Sequence, residues 1–564
     1  MEFGEGAGAR KLALLRALDR ARLPSRAEVR RLHETLLFVR AYPDDPAVLA
    51  RVEGMLGRFA ARPDLRRHQD ALVNSGIAGT EIVSRFYAFA ASWMARRWPG
   101  RLTIDWPAFD AAPKLDAIFH WLTLYAETPG LDECPFGVRE WVARLAGLRV
   151  TDAAFLIRRF DALRADPFLR ENLYEQLDIP IRLAPGGRTG VGRGPSSRAP
   201  HPTPARTHER APGGRVAFAS RPVSRAVPSI ARDAALSPGS VRRATRPEAR
   251  ALIDLARAAM IARTRDLDAF THADARDVRV AAWDDGFRIA FAGMIPERRL
   301  LLESVTGYLM LKNGVPVGYG TGSALFGSVE VAYNVFETFR GAEAGRWFGR
   351  VLATFRDRFR ADAFVVSPYQ LGDDNDEALR SGAWWFYRKF GFAPRHAGAA
   401  RLARREERAR RADPTRRSAR ATLKSLAEHD VFLFLGNPRD DVLGALALGN
   451  VGLCVTAFLA RRFGADREAA SRACDREARA RCGVRSLDGW SRGERLAWAR
   501  WAPLVAALPG IARWSASERR ALALVVRAKG GASESEFALT FDEHRRLRRA
   551  VRALAVAGPP ALAR

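Results

Sequence analysis

Asn334-Val335-Phe336-Glu337-Thr338-Phe339-Arg340-Gly341-Ala342-Glu343-Ala344-Gly345 is the stretch on which the reading of this chain turns. Ahead of it Val329 to Phe336 is strand-like, and after it Trp347 to Phe359 is helix-like. A strand that feeds a short Gly-containing turn and then a helix builds an anion site. The free N–H groups of the first helical turn point at the turn, and the macrodipole adds partial positive charge there. A second strand, Ala363 to Ser367, follows. The next helix ends in Phe386-Tyr387-Arg388-Lys389-Phe390-Gly391-Phe392.

These pieces together resemble the GNAT superfamily of acyl-CoA N-acyltransferases, over residues of about 250 to 400. The family's turn reads Arg or Gln, two residues, Gly, one residue, then Gly or Ala. Arg340 and Gly345 fit it, and Glu343 stands where the inner Gly belongs. A second hallmark, a Tyr four residues before a Gly-Phe pair, fits Tyr387 with Gly391-Phe392. The resemblance implies acetyl-CoA or another acyl-CoA as cosubstrate, with an unspecified amine as acceptor. It also implies that the backbone of Arg340, Gly341, Ala342, Glu343, Ala344 and Gly345 cradles the pyrophosphate. Val335 or its neighbour would then hold the thioester carbonyl where a bulge splays the central strand. Glu343 has two physical options. Turned outward it favours the helix N-terminus; turned to the site it repels a diphosphate by about 1 kcal/mol at an effective dielectric near 20.

Acyl transfer from a thioester also needs a base for the amine and an acid for the departing thiolate. Strand alternation puts Glu330, Ala332 and Asn334 on one face and Val329, Val331, Tyr333 and Val335 on the other. A polar face on a central strand points to a cleft. Glu330, ten residues before Arg340, is the candidate base, with a solvent-facing Glu as the alternative. Tyr387 is the candidate acid. Ala383, Trp384, Tyr387 and Phe390 share one helical face, so a packed Tyr is the alternative there. A phenol near pKa 10 and a thiol near 8.5 make the proton transfer nearly balanced. The run Asp373-Asp374-Asn375-Asp376-Glu377 lacks calcium-loop spacing and reads as a helix cap before Ala378, so no metal is expected. With no GxSxG, HExxH, CxxC or Walker motif, serine hydrolase, zincin, redox and P-loop chemistries have no foothold.

At 564 residues the chain holds several domains. Its formal charge is +29, carried by 86 arginines and only six lysines. A solvated Arg-rich surface accounts for that charge, and a nucleic-acid partner would suit it. Four scattered cysteines without ligand spacing fit a reducing cytoplasm, and Met1 to Glu5 opens no signal-peptide core. Val442 to Ala460 is a run of 19 residues without a charge. Gly444, Gly449, Asn450 and Gly452 interrupt it, so it reads as two short helices, the second capped by Asn450, rather than a membrane span.

The expected fold class is α+β and predominantly helical: a mixed GNAT-like sheet domain at 247–400 between all-α domains at 1–183 and 421–564. Residues 184–246 carry twelve arginines against two acids amid Gly, Pro and Ser, and read as a disordered linker; 401–420 reads as a charged connector or exposed helix. Ser25, Ser515 and Thr540 each open an expected capping box. Gly307 to Tyr319 reads as a hairpin around Asn313-Gly314, a type I′ turn. The leading expectation is a cytoplasmic acyl-CoA-dependent N-acyltransferase. The alternative, favoured by Glu343, is a catalytically inactive GNAT-like binding module in a basic scaffold that contacts nucleic acid.

Overall fold

The computed structural model describes residues 6–185, 211, 213–223, 228–230, 233–265, 268–341 and 343–558. About half of the 184–246 segment, and Ala342 of the turn, therefore lie outside the described residues. The chain divides into two compact units. One comprises Met1–Pro222, Arg250–Thr271 and Lys312–Pro316, the other Val223–Ala249, His272–Leu311 and Val317–Arg564. The fold is α+β with helix predominating.

The first unit is built on helices whose ends the sequence marks. Ser25 and Glu28 form the expected capping box ahead of Arg26–Ala41, and Asp45 caps Pro46–Arg58 through the N–H groups of Ala47 and Val48. It is not all-α. Strands β1 (Ile82–Arg85), β2 (Leu102–Ile104) and β3 (Pro180–Leu183) form an antiparallel sheet in the order β1-β3-β2. Strands of three or four residues are too short to show alternation, and β3 finds its partners far along the chain. Ile82, Leu102, Ile104, Ile181 and Leu183 then bury against Trp93, Met94 and Ile157.

In the second unit one sheet of nine strands runs β11-β12-β10-β9-β8-β7-β6-β5-β4. Its members are β4 (Ser240–Arg243), β5 (Ala273–Ala282), β6 (Phe287–Met294), β7 (Ser304–Lys312), β8 (Val315–Leu325), β9 (Ser328–Val335), β10 (Ala363–Val366), β11 (Ala393–Pro394) and β12 (Val431–Phe434). Asn313 and Gly314, at φ 47° and 80°, make the expected tight turn between β7 and β8. Gly322 lets the helix that carries Phe355 approach the sheet closely: a Cβ there would lie 2.2 Å from the Phe355 ring.

Two expected boundaries move. Ser240–Arg243, expected within the linker, pairs antiparallel with β5. Val431–Phe434, expected inside an all-α domain, inserts between β10 and β11. The helices after it share one core with the sheet, in which Phe326, Val365 and Phe432 join Trp498, Trp501, Val526 and Phe541. The stretch 401–420 begins as helix, within Ala397–Ala412. No described helix is long and apolar enough to cross a membrane. Leu448–Phe463 starts before Asn450, whose amide donates to the Ala555 carbonyl instead of capping. Ser515 forms its capping box, whereas Thr540 lies inside Glu534–Glu543 and donates to Glu536.

Candidate active site

β9 is antiparallel to β8 over eight continuous pairs, from Gly318↔Val335 to Leu325↔Ser328. The implied bulge is absent, because nothing in that register is skipped. The opening arises on the other edge. β10 is parallel to β9 but pairs only with Ser328, Val329 and Glu330, so β9 from Val331 onward has no strand beside it. Carbonyl and N–H of one strand residue point to the same side, and successive residues alternate. Phe336 N–H donates to the Val317 carbonyl on β8. Val335 and Tyr333 therefore turn their backbone groups to the open edge.

A cavity of about 190 Å³ lies along that edge, lined among others by Asn334, Val335, Ala344, Phe386 and Tyr387. Its rim is held by Arg340, whose Nε donates to the Val335 carbonyl at 3.2 Å and whose guanidinium pairs with Glu377. Val335 N–H remains on the cavity side, while its carbonyl is engaged. Beside it the Ala344–Phe359 helix begins. Its first helical hydrogen bond is Trp347 N–H to the Glu343 carbonyl, which leaves the N–H groups of Ala344, Gly345 and Arg346 without helical acceptors. Gly341 is an exposed residue of the turn.

Three buried phenols lie about β9, and two of them, Tyr333 and Tyr387, line the cavity in this wedge. The Tyr308 hydroxyl donates to the Ala332 carbonyl at 2.6 Å, and that of Tyr333 to the Ala344 carbonyl at 2.6 Å. The Tyr387 hydroxyl has no hydrogen-bond partner among the described residues. Its ring, 2% exposed, packs edge-on against Phe348 and Phe392. Burial pushes the Tyr387 phenol well above its ordinary value, so the hydroxyl stays protonated. The geometry thus singles out Tyr387 as the one free donor of the three. Tyr333 also stacks on Phe386 with centroids 5.7 Å apart, which narrows the wedge.

Glu330 does not line this cavity. It lies three residues back along β9 from Tyr333, about 10 Å at strand rise. It is half-buried where β9 and β10 are still paired. The sequence gives no hint of its neighbour Asp430, which precedes β12. Burial first, and then the Glu330 charge, raise the Asp430 carboxyl to about 6. Val365 pairs with both Glu330 and Phe432, so Glu330 and Asp430, two residues before Phe432, share one face of the sheet. No signal in one sequence links residues a hundred apart across a third strand.

Glu343 is 9% exposed and does not line the cavity. Its charge acts on the Arg350 guanidinium, which is held 2.9 Å from Asp285 and over the rings of Trp283 and Phe287. Asn375 Oδ1 accepts from Ala378 N–H, as a cap does, and no cluster of three metal-ligating side chains occurs among the described residues. No family model, curated protein or solved structure matches this chain.

Proposed function

We propose that the second unit is a GNAT-like acyl-CoA-dependent N-acyltransferase. The observation that carries this reading is the opening between parallel β9 and β10, because it brings Val335 N–H, a helix N-terminus and the free Tyr387 hydroxyl to one cavity. In this reading the diphosphate lies at the Ala344–Phe359 N-terminus, where free N–H groups and the macrodipole favour anions. The pantetheine arm enters along the open edge of β9, and Val335 N–H polarises the thioester carbonyl. The amine nitrogen attacks the carbonyl carbon. The N–C bond forms, the tetrahedral oxyanion collapses, and the C–S bond breaks. Tyr387 hydrogen-bonds the departing thiolate, and the ammonium proton leaves through water to Asp430 or Glu330. A carboxyl near 6 is ionised at neutral pH and still basic enough to accept a proton.

The stacked Tyr333–Phe386 pair favours a second reading, a binding module without turnover, because it narrows the space a pantetheine arm needs. Two measurements separate them. Thermal melting with acetyl-CoA must raise the midpoint if the ligand binds the native state. Thiol release in the presence of a panel of amines reports turnover. No shift and no thiol release would refute the enzyme reading; a shift without release leaves the binding module.

A further inference from the structure

We propose that the outer face of the Ala397–Ala412 helix is a docking surface for a nucleic-acid phosphate backbone. Arg401, Arg404, Arg405, Arg408 and Arg411 are all exposed, and none has an ion pair or side-chain hydrogen bond among the described residues. At 100° per residue they fall within a stripe about 120° wide, and at 1.5 Å per residue it is about 15 Å long. The buried residues Ala399, Ala403 and Glu406 lie on the opposite side.

The helix's two acids leave this stripe uncompensated. Glu406, 5% exposed, accepts from Ser418 Oγ at 2.9 Å and pairs with Arg416 at 3.7 Å. Glu407 pairs with Arg388. Five like charges so close repel one another in the free protein, and a polyanion relieves that repulsion. Guanidinium groups bind phosphate oxygens in bidentate pairs, and the rise over four helical residues, about 6 Å, is close to the spacing of phosphates along a strand. A lipid surface fits worse. Membrane-lying helices present Trp, Phe or Leu beside their cations, and the only large apolar side chain in this helix is a half-buried Leu402. The helix is also fixed to the one that carries Phe386 and Tyr387, through the Arg388–Glu407 pair and the Arg410 guanidinium 4.2 Å over the Trp385 ring. A strand held along the stripe would therefore be anchored next to the element that lines the cavity.

The test uses the full chain and fluorescence anisotropy with a labelled 20-nucleotide single-stranded RNA and a 20-base-pair DNA duplex, from 50 to 200 mM salt. One variant combines Arg401→Gln, Arg404→Gln, Arg405→Gln, Arg408→Gln and Arg411→Gln. A charge-matched control changes five exposed arginines elsewhere, Arg472, Arg476, Arg520, Arg545 and Arg549, to Gln. The wild type should bind one or both probes. The stripe variant should lose at least tenfold in affinity at 100 mM salt, with its log–log salt slope shallower by about 2 to 3, as expected for three to four lost phosphate contacts. The control should change less than threefold. The comparison of probes tells which polynucleotide form is held. The proposal is overturned if the wild type binds neither probe, if the control loses as much as the stripe variant, or if stripe-dependent binding is found only to phosphatidylserine vesicles. Should the stripe variant misfold, phenylglyoxal modification of the wild type decides: these five arginines must react several-fold more slowly with RNA present, and unchanged reactivity refutes the surface.

Discussion

Replacing Tyr387 by Phe removes one oxygen and keeps the ring against Phe348 and Phe392. The hydroxyl has no partner among the described residues, so folding should barely register the loss, with a change below about 0.5 kcal/mol. Turnover should register it strongly. A hydrogen bond to a developing thiolate is charge-assisted and contributes about 1.5–3 kcal/mol. At about 1.4 kcal/mol per factor of ten, that is roughly a 10- to 150-fold loss of kcat, with acyl-CoA affinity nearly unchanged.

Tyr308 and Tyr333 provide the control. Their hydroxyls already serve the carbonyls of Ala332 and Ala344. Tyr308→Phe and Tyr333→Phe should therefore each cost on the order of 1 kcal/mol of stability instead of turnover. Because burial raises the Tyr387 phenol, no falling limb of the pH–rate profile should belong to it below pH of about 10. Thiol release under saturating acyl-CoA, with urea unfolding on the same samples, measures both quantities. If Tyr387→Phe keeps turnover within threefold of an active wild type, Tyr387 is a packing residue and the assignment of the acid fails.

Asp430 should impose a rising limb on kcat/KM with a midpoint near pH 6, and Asp430→Asn should abolish that limb; an unchanged profile excludes it as the proton acceptor. Burial also raises the Asp542 carboxyl to about 6, against the opposing pull of Arg548. The folded state then holds the Asp542 proton more tightly than the unfolded chain between pH of about 4 and 6. Stability should fall as pH rises through that window, by on the order of 2–3 kcal/mol for this group, and stay level above it. Asp542→Asn retains an acceptor for Gly327 N–H, so urea unfolding should show it more stable than wild type at pH 7.5 and less dependent on pH. A Cβ on Gly320 would lie 1.9 Å from the Ala332 carbonyl and 2.4 Å from the Tyr308 hydroxyl, so Gly320→Ala should cost about 3 kcal/mol or more, and an unaltered melting midpoint would contradict the packing described. Glu343→Gln should leave acetyl-CoA affinity within about twofold in calorimetric titration; a gain of tenfold would place the carboxylate at the ligand.

The local features were legible because local chemistry carries them. The Asn313-Gly314 turn, the Ser25 and Ser515 capping boxes, and the passage from β9 into the Ala344–Phe359 helix each lie within a dozen residues. Pairings between distant segments were not. β12 reaches β10 from sixty-odd residues away, and β3 bridges β1 and β2 with a four-residue strand, so the flanking segments read as purely helical. The candidate site divides in the same way. Tyr387 and the β9 turn stand out in the sequence, whereas Asp430 gains its neighbour only when β12 is placed. The Thr540 expectation failed for another reason: Thr-x-x-Glu inside a packed helix has no free N–H to cap.

Glu343 shows how the neighbours of a side chain bear on two readings of one sequence position. Read along the chain, a carboxylate at this position of the GNAT-like turn either favours the helix N-terminus or repels a diphosphate. In the fold it belongs to the N-cap residue of a helix but makes no side-chain cap hydrogen bond, and the seventh residue after it is Arg350, buried to 2% exposure. Burial lowers the pKa of that guanidinium, and Asp285 and Glu343 oppose the effect. The carboxylate therefore serves the interior, and the cavity-side backbone N–H groups keep their free hydrogens. A glycine would leave those N–H groups as they are and would remove only the charge that acts on Arg350. Asp285, 2.9 Å from the guanidinium, is its nearer anion, and Glu343 adds a smaller pull.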